Sequence, residues 1–253
     1  MNDQYTQKIN RMEIFIANTY EAMSKQAADT VIYLMNSNEN PLLCPASGDS
    51  PAGLYKELVD RFNKDQPNIS NWYFVGLDEW AEMNGSDEGS CRFHLDNQLF
   101  GPLHLEKEKI FFFDGRANDL EQECIKAEKF ITEHGDIHVA IVGLGTNGHI
   151  AMNEPGTSAD TRSHVAAIDP LTQQAGQKYF KEPKEISQGI TLGLATLMEA
   201  RHIILVVSGA HKAETVKRLI SEEISEKLPA TLFRTHPSFK IFLDAEAAQL
   251  ISN

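Results

Sequence analysis

Short apolar runs alternate along the chain with longer stretches in which apolar residues recur every three or four positions. The runs Thr30–Met35, Trp72–Leu77, Lys109–Phe113, Ile137–Leu144, His202–Ser208 and Lys240–Leu243 read as strands, with Ser163–Ile168 a weaker example of the same kind. Several are apolar on both faces, as parallel strands covered by helices are. The amphipathic stretches read as helices. Arg11–Ala27 sets Met12, Ile16, Ala17, Tyr20 and Met23 near helical spacing, and Pro51–Asn63 begins with a first-turn proline behind Ser50 as N-cap. Leu120–His134 and Ala210–Ser221 complete the alternation. Strands and helices in turn predict an α/β fold: a Rossmann-like, doubly wound, mostly parallel sheet with helices on both faces. No repeat, low-complexity tract or Pro/Gly/Ser-rich linker divides the chain, so residues 1–253 are expected to form one domain.

Composition narrows the class of function. With 253 residues, 42% hydrophobic and 23% charged, the chain is long enough for a full core and ordinary for a globular enzyme. A formal net charge of −13 argues against a nucleic-acid face, though a small anionic ligand needs only a few local donors. Cys44, Cys91 and Cys124 lack paired or metal-type spacing and read as reduced thiols. The stretch MNDQYTQKINRMEIF lacks the pattern of a signal peptide, and no apolar run approaches the roughly 18 residues of a membrane span. A cytoplasmic protein is expected, with no membrane partner.

The chemistry concentrates in IVGLGTNGHIAMNEPG, residues 141–156. Gly143-x-Gly145-x-x-Gly148 after an apolar run has the spacing of a dinucleotide loop. Such a loop needs a long helix behind it and an acid about 20 residues on. Here Pro155 follows Gly148 by seven residues and Asp169 lies 26 beyond Gly143, which argues against a nucleotide. In the other reading this is an active-site loop at a strand's carboxyl end. His149 would move protons near neutral pH and Glu154 would fix its tautomer; against it stands a helix-capping His149 and a solvated Glu154. NWYFVGLDEWAEM ends an apolar strand with Asp78 and Glu79, either bases in the same crevice or a solvated strand end. LLCPASGDSPAGLY carries Ser47, Gly48, Asp49 and Ser50 ahead of a helix, either a phosphate cradle or an ordinary cap.

Taken together, Ser47-Gly48-Asp49-Ser50-Pro51, Asp78-Glu79-Trp80 and Gly143 to Pro155 resemble the glucosamine-6-phosphate deaminase/isomerase family, as do SGAHKAE with Lys212 and TLFRTHP with His236. Leu77–Trp80, Asn147–His149, Asp169–Gln174 and Gly189–Gly193 are similar to the galactosamine-6-phosphate members. The resemblance implies conversion of galactosamine 6-phosphate to tagatose 6-phosphate and ammonia, with glucosamine 6-phosphate to fructose 6-phosphate as the alternative. It implies Asp78 as the base carrying the C2 proton, His149 as the ring-opening residue and Glu154 as its orienting partner, with Asn147 beside them. Ser47, Gly48, Ser50, Lys212 and Gly145 would bind substrate and its phosphate. No metal or organic cofactor is implied; the partner is a phosphorylated amino sugar, and a homo-oligomer is possible.

This chain departs from the family pattern in four respects. Asn147 stands where glucosamine-type members carry an aspartate, and Asp49 puts a carboxylate beside the phosphate loop. The arginine that other members place after the lid has only Lys178 as a loose counterpart, and the effector-site positions do not carry over, so the same allosteric control is not expected. 6-Phosphogluconolactonases share the architecture, but typically have Asp-Glu-Arg rather than Asp78-Glu79-Trp80 and lack Asn153-Glu154-Pro155. A non-catalytic sugar-phosphate sensor would carry a helix-turn-helix ahead of the domain, and only one helix fits before residue 30.

Overall fold

The computed structural model describes residues 4–9, 12–65 and 69–251. Its first elements differ from the sequence expectation. Met12–Ala17 is a strand, β2, antiparallel to β1 (Gln4–Ile9), and the helix α1 runs over Tyr20–Met35. The expected helix over 11–27 and strand over 30–35 are therefore both corrected; Arg11 itself lies outside the described residues. Met12, Ile14 and Ile16 alternate at period two and are buried on one sheet face, while Phe15 stacks on Phe242 from the other. The Thr19 hydroxyl accepts from the Ala22 amide at 3.1 Å and starts α1, whose buried Met23, Ala27, Val31 and Leu34 keep helical spacing. Met12, Ile16, Tyr20 and Met23 satisfy a helical period by coincidence, and burial on the sheet outweighs it.

From α1 the chain enters β3 (Leu42–Cys44), which sequence patterning did not mark as a strand because it is only three residues long. Then follow α2 (Asp49–Asp65), β4 (Tyr73–Val75), β5 (Asp78–Trp80), α3 (Cys91–Leu95), β6 (Ile110–Phe111), α4 (Leu120–Glu133) and β7 (Val139–Val142). The second half comprises β8 (His164–Ala167), α5 (Pro170–Gly176), β9 (Gln188–Thr191), α6 (Leu194–Met198), β10 (His202–Val207), α7 (Ala213–Ser221), β11 (Phe239–Asp244) and α8 (Ala245–Ala248). Among the described residues, eight strands form one sheet in the order β1-β2-β11-β10-β7-β3-β4-β6, parallel except for β1. Its two faces bury separate apolar clusters. Leu43, Phe74, Ile141 and Val206 pack under α1 and α2, whereas Cys44, Val75, Val142 and Leu205 face residues of α4, α6, α7 and α8.

This is the doubly wound arrangement expected from the alternation. After β3 the chain moves outward through β4 to β6, then returns across β3 to β7 and continues to β10 and β11. The direction of winding reverses between β3 and β7, and the loops leaving their carboxyl ends diverge to open a crevice. The segment expected as a strand over 163–168 forms β8, but in a separate antiparallel sheet ordered β5-β9-β8 beside that crevice. Trp80, Met83, Cys91, Met152, Ala166 and Ile186 form the small core beneath it.

Candidate active site

Asp78 and Glu79 begin the strand that leaves the main sheet. Because neighbours in a strand point to opposite faces, the two acids part company. Glu79 is fully buried, and its carboxylate accepts from the Trp80 and Cys91 amides at Oε1 and from the Arg92 amide at Oε2, each at 2.9 Å. It holds the first turn of α3, whose N-cap Ser90 accepts from Phe93 N at 2.9 Å. Burial pushes the Glu79 carboxyl up to about 7 against the pull of those three donors. Asp78 turns the other way, toward His149, and is 8% exposed. Burial raises its pKa to about 6, opposed by a hydrogen bond from Cys91 and by the His149 charge. Neither acid is a solvated strand end, and only Asp78 is free to work in the crevice.

The loop after β7 does not open a helix. It folds as turns closed by a bridge between Ile150 and Asn153, so the helix a dinucleotide loop requires is not formed. Gly145 answers to His149 instead. A Cβ on Gly145 would stand 2.3 Å from the imidazole Cε1 and Nδ1, so the ring lies flat on bare backbone. The Gly145 amide donates to the His149 carbonyl at 3.0 Å, which leaves Gly145 to contribute to a ligand by shape rather than by hydrogen bonding.

Asn147, His149, Glu154 and Thr172 form one polar cluster. Asn147 Oδ1 accepts from the His149 amide at 3.1 Å and lies 2.7 Å from His149 Nδ1, while Asn147 Nδ2 donates to Glu154 Oε2 at 2.8 Å. An amide oxygen only accepts, so Nδ1 carries the proton and Nε2 of the neutral ring is left with a free lone pair. Glu154 Oε2 is 3.4 Å from Nδ1, close enough to balance an imidazolium directly. Burial pushes Glu154 up, but His149, Thr172 and Asn147 together outweigh it and the carboxyl sits below its ordinary value. An aspartate at 147 would face the Glu154 carboxylate where the Asn147 amide now donates; asparagine removes that repulsion.

The phosphate-loop residues gather at the carboxyl ends of β3 and β10. Gly48 has φ +119°, a conformation that favours glycine, and lets the chain turn into α2. The helix begins at Asp49, so Ser50 lies within its first turn and is not the N-cap expected. Ser50 Oγ is 3.1 Å from Ser208 Oγ at the end of β10. Asp49 turns its carboxylate onto Lys178 Nζ, so the negative charge beside the loop is paired. Lys212 is half-buried and donates to the Leu144 carbonyl at 2.6 Å. Burial, then the Lys178 charge, lower its pKa to about 8, with Asp49 opposing. The structure thus brings Asp78, Asn147, His149 and Glu154 into the crevice, with Ser50 and Lys212 on the loops that border it. His236 is structural: it is buried with Nε2 on the Ala200 carbonyl at 2.7 Å.

Sequence reasoning passed over three contributors. Thr172, from α5, places its hydroxyl 3.1 Å from His149 Nδ1; it stood inside the quoted Asp169–Gln174 segment without a role. Ser208 was read as the last residue of a strand, and Cys91 as a reduced thiol. Cys91 is buried, and burial, then the Asp78 charge, hold its thiol well above the usual range. No local pattern marks such residues, because their partners are remote in the chain. Among the described residues, no group of three or more His, Cys, Asp or Glu side chains is arranged to hold a metal ion, and no helix is long and apolar enough to cross a membrane.

Known proteins are similar to this chain in sequence or in fold. A family profile described as glucosamine-6-phosphate isomerases/6-phosphogluconolactonase matches residues 17–241. A glucosamine-6-phosphate deaminase of Thermoanaerobacter pseudethanolicus is 36% identical over 241 residues, covering 95% of both chains. Glucosamine-6-phosphate deaminase 1 of Bacillus subtilis is 32% identical over 240 residues, covering 94% of this chain and 99% of its own. The solved structure of a monomeric glucosamine-6-phosphate deaminase superposes with a TM-score of 0.90 at 32% identity, over 94% of this chain and 99% of that one. A 6-phosphogluconolactonase from Trypanosoma brucei shares the fold, with a TM-score of 0.72 at 19% identity over 94% of this chain and 98% of that one.

Proposed function

Because the chain belongs to the glucosamine-6-phosphate isomerase/6-phosphogluconolactonase family, we propose that it is a deaminating isomerase of amino-sugar 6-phosphates, with glucosamine 6-phosphate as its substrate. The observation that carries this reading is Asp78: a buried carboxylate with its pKa raised to about 6, facing a histidine whose Nε2 is free. A base of that strength, ionised at neutral pH yet reluctant to be, suits proton transfer at carbon. The named relatives at up to 36% identity support glucosamine over galactosamine.

The chemistry follows from these side chains. His149 Nε2 takes the proton of the anomeric hydroxyl and returns it to the ring oxygen as the C1–O5 bond opens, with Asn147 and Glu154 holding Nδ1–H. Asp78 removes the C2 proton of the open aldose and delivers it to C1 while a proton passes from the C2 amine to O1, so that an aldehyde with a C2 amine becomes a C1 alcohol with a C2 imine. Water adds to the imine and ammonia leaves, giving the ketose 6-phosphate. Lys212, Lys178, Ser47, Gly48 and Ser50 would hold the phosphate, so that binding at C6 positions C1 and C2. Lys178 serves here in the place of the expected arginine, once phosphate draws it from Asp49.

Ammonia release from glucosamine 6-phosphate and galactosamine 6-phosphate, measured in parallel with hydrolysis of 6-phosphogluconolactone, tests the reading. Ammonia from the gluco substrate supports it. A clear galacto preference would restore the galactosamine reading, which rests on Leu77–Trp80, Asn147–His149, Asp169–Gln174 and Gly189–Gly193. Lactone hydrolysis without ammonia release would overturn both.

A further inference from the structure

The turn read as the phosphate loop is held from outside by two tyrosines. Tyr20 opens α1 behind its Thr19 cap, and its hydroxyl reaches the first turn of α2. There it accepts from the Gly53 amide at 2.6 Å and donates to the Asp49 carbonyl at 2.8 Å. Those two backbone groups, four residues apart, are the pair that an α-helix joins to each other. Gly53 makes room for the ring. A Cβ there would stand 2.8 and 2.9 Å from Tyr20 Cε1 and Cζ, and closer still to the hydroxyl of buried Ser24. Glycine is a poor helix former beside alanine, so α2 gives up helix stability where the tyrosine enters. On the other side of the loop, the fully buried Tyr55 of α2 donates to the Ala46 carbonyl at 2.6 Å. The carbonyls of Ala46 and Asp49 thus enclose Ser47 and Gly48.

We propose that Tyr20 is a positioning residue for the phosphate loop: its hydroxyl bridges the first turn of α2 and presets the amides at the start of that helix for the sugar phosphate. Those amides have no partner within the helix, which is what suits them to an anion. The proposal rests on the reading of Ser47, Gly48 and Ser50 as phosphate ligands. Tyr20 touches no substrate atom in this scheme. Its effect is to order the loop before the ligand arrives, so that less freedom is lost on binding. Asp49 is held at both ends, its carboxylate by Lys178 and its carbonyl by Tyr20. When phosphate draws Lys178 away, the Tyr20 bridge keeps the Asp49 backbone in place.

The test compares wild type with Tyr20→Phe and Gly53→Ala. Inorganic phosphate is titrated into the whole ligand-free protein and followed at the backbone amide resonances of Gly48 and Ser50. Tyr20→Phe keeps the ring and loses the bridge, so Kd for phosphate is expected to rise about three- to tenfold. Gly53→Ala drives the ring out of the turn and should weaken phosphate as much, although alanine is the better helix former. KM for glucosamine 6-phosphate should rise by the same factor, with kcat lowered less than about threefold because Asp78 and His149 are untouched. A merely structural hydroxyl would lower stability in denaturant and leave Kd and KM where they were. Wild-type phosphate affinity in either variant would overturn the proposal, and if Tyr20→Phe fails to fold, Gly53→Ala decides alone. A wild-type protein that does not bind phosphate at those amides would sink the phosphate-loop reading and this proposal with it, whereas wild-type binding with unchanged variants sinks this proposal only. The phosphate titration needs no turnover, so its result does not depend on which sugar releases ammonia.

Discussion

Replacing Asp78 by asparagine should abolish turnover and stabilise the fold in the same stroke. The Asp78 carboxyl titrates near 3.8 in an unfolded chain and near 6 in the folded protein, chiefly because burial strips water from the ionised form. A group with a higher pKa folded than unfolded binds more protons when folded, so it costs stability as pH climbs from about 4 through about 6 and no more beyond. A gap of about two pH units at roughly 1.4 kcal/mol each amounts to about 3 kcal/mol at pH 8, and to about half that at pH 5. Asparagine carries no charge to desolvate and has nearly the same shape. Urea unfolding of wild type and Asp78→Asn at pH 5 and pH 8 reads the difference directly. The variant is expected to be more stable at both values, by about 1.5 kcal/mol more at pH 8 than at pH 5. Glu79 titrates in both proteins and cancels to first order. Retained turnover would refute the assignment of the base. A variant that is less stable at pH 8, or an advantage independent of pH, would refute the claim that Asp78 is held ionised at a cost.

Asn147→Asp sets a second carboxylate against Glu154 Oε2, where the Asn147 amide now donates at 2.8 Å; the pair should share a proton and hold His149 charged, shifting the acid limb of kcat/KM upward by about one pH unit. An unchanged profile would show that position 147 does not act on His149. Gly145→Ala places a methyl 2.3 Å from the His149 ring, which must tilt away; turnover is expected to drop at least about 100-fold, for a stability loss of about 1–3 kcal/mol in denaturant melts. Lys212 loses its proton near pH 8, so KM for the phosphorylated sugar should rise as pH passes that value, a dependence that Lys212→Met would remove while raising KM throughout.

Much of this protein was legible one segment at a time. Ile137–Leu144 and His202–Ser208 read as buried strands because both faces of a central parallel strand are apolar, and the sheet class followed from their alternation with helices. The loop Gly143–Pro155 carried its residues in one stretch, so His149, Glu154 and Asn147 were visible together. The amino-terminal elements were misread because Met12, Ile16, Tyr20 and Met23 fit a helical period and a strand-then-helix equally well, and only burial beside β11 chooses. Whether Asp78 or Glu79 faces the crevice was likewise decided by pairing with β9, since a strand sends neighbours to opposite sides. The pairing of Asp49 with Lys178 joins residues 129 positions apart. What the sequence by itself determined is therefore the set of elements and the chemical types available at their ends. Which groups are stripped of water, and which are paired, the tertiary structure alone decided, because desolvation and charge pairing depend on distances between atoms that the order of residues does not contain.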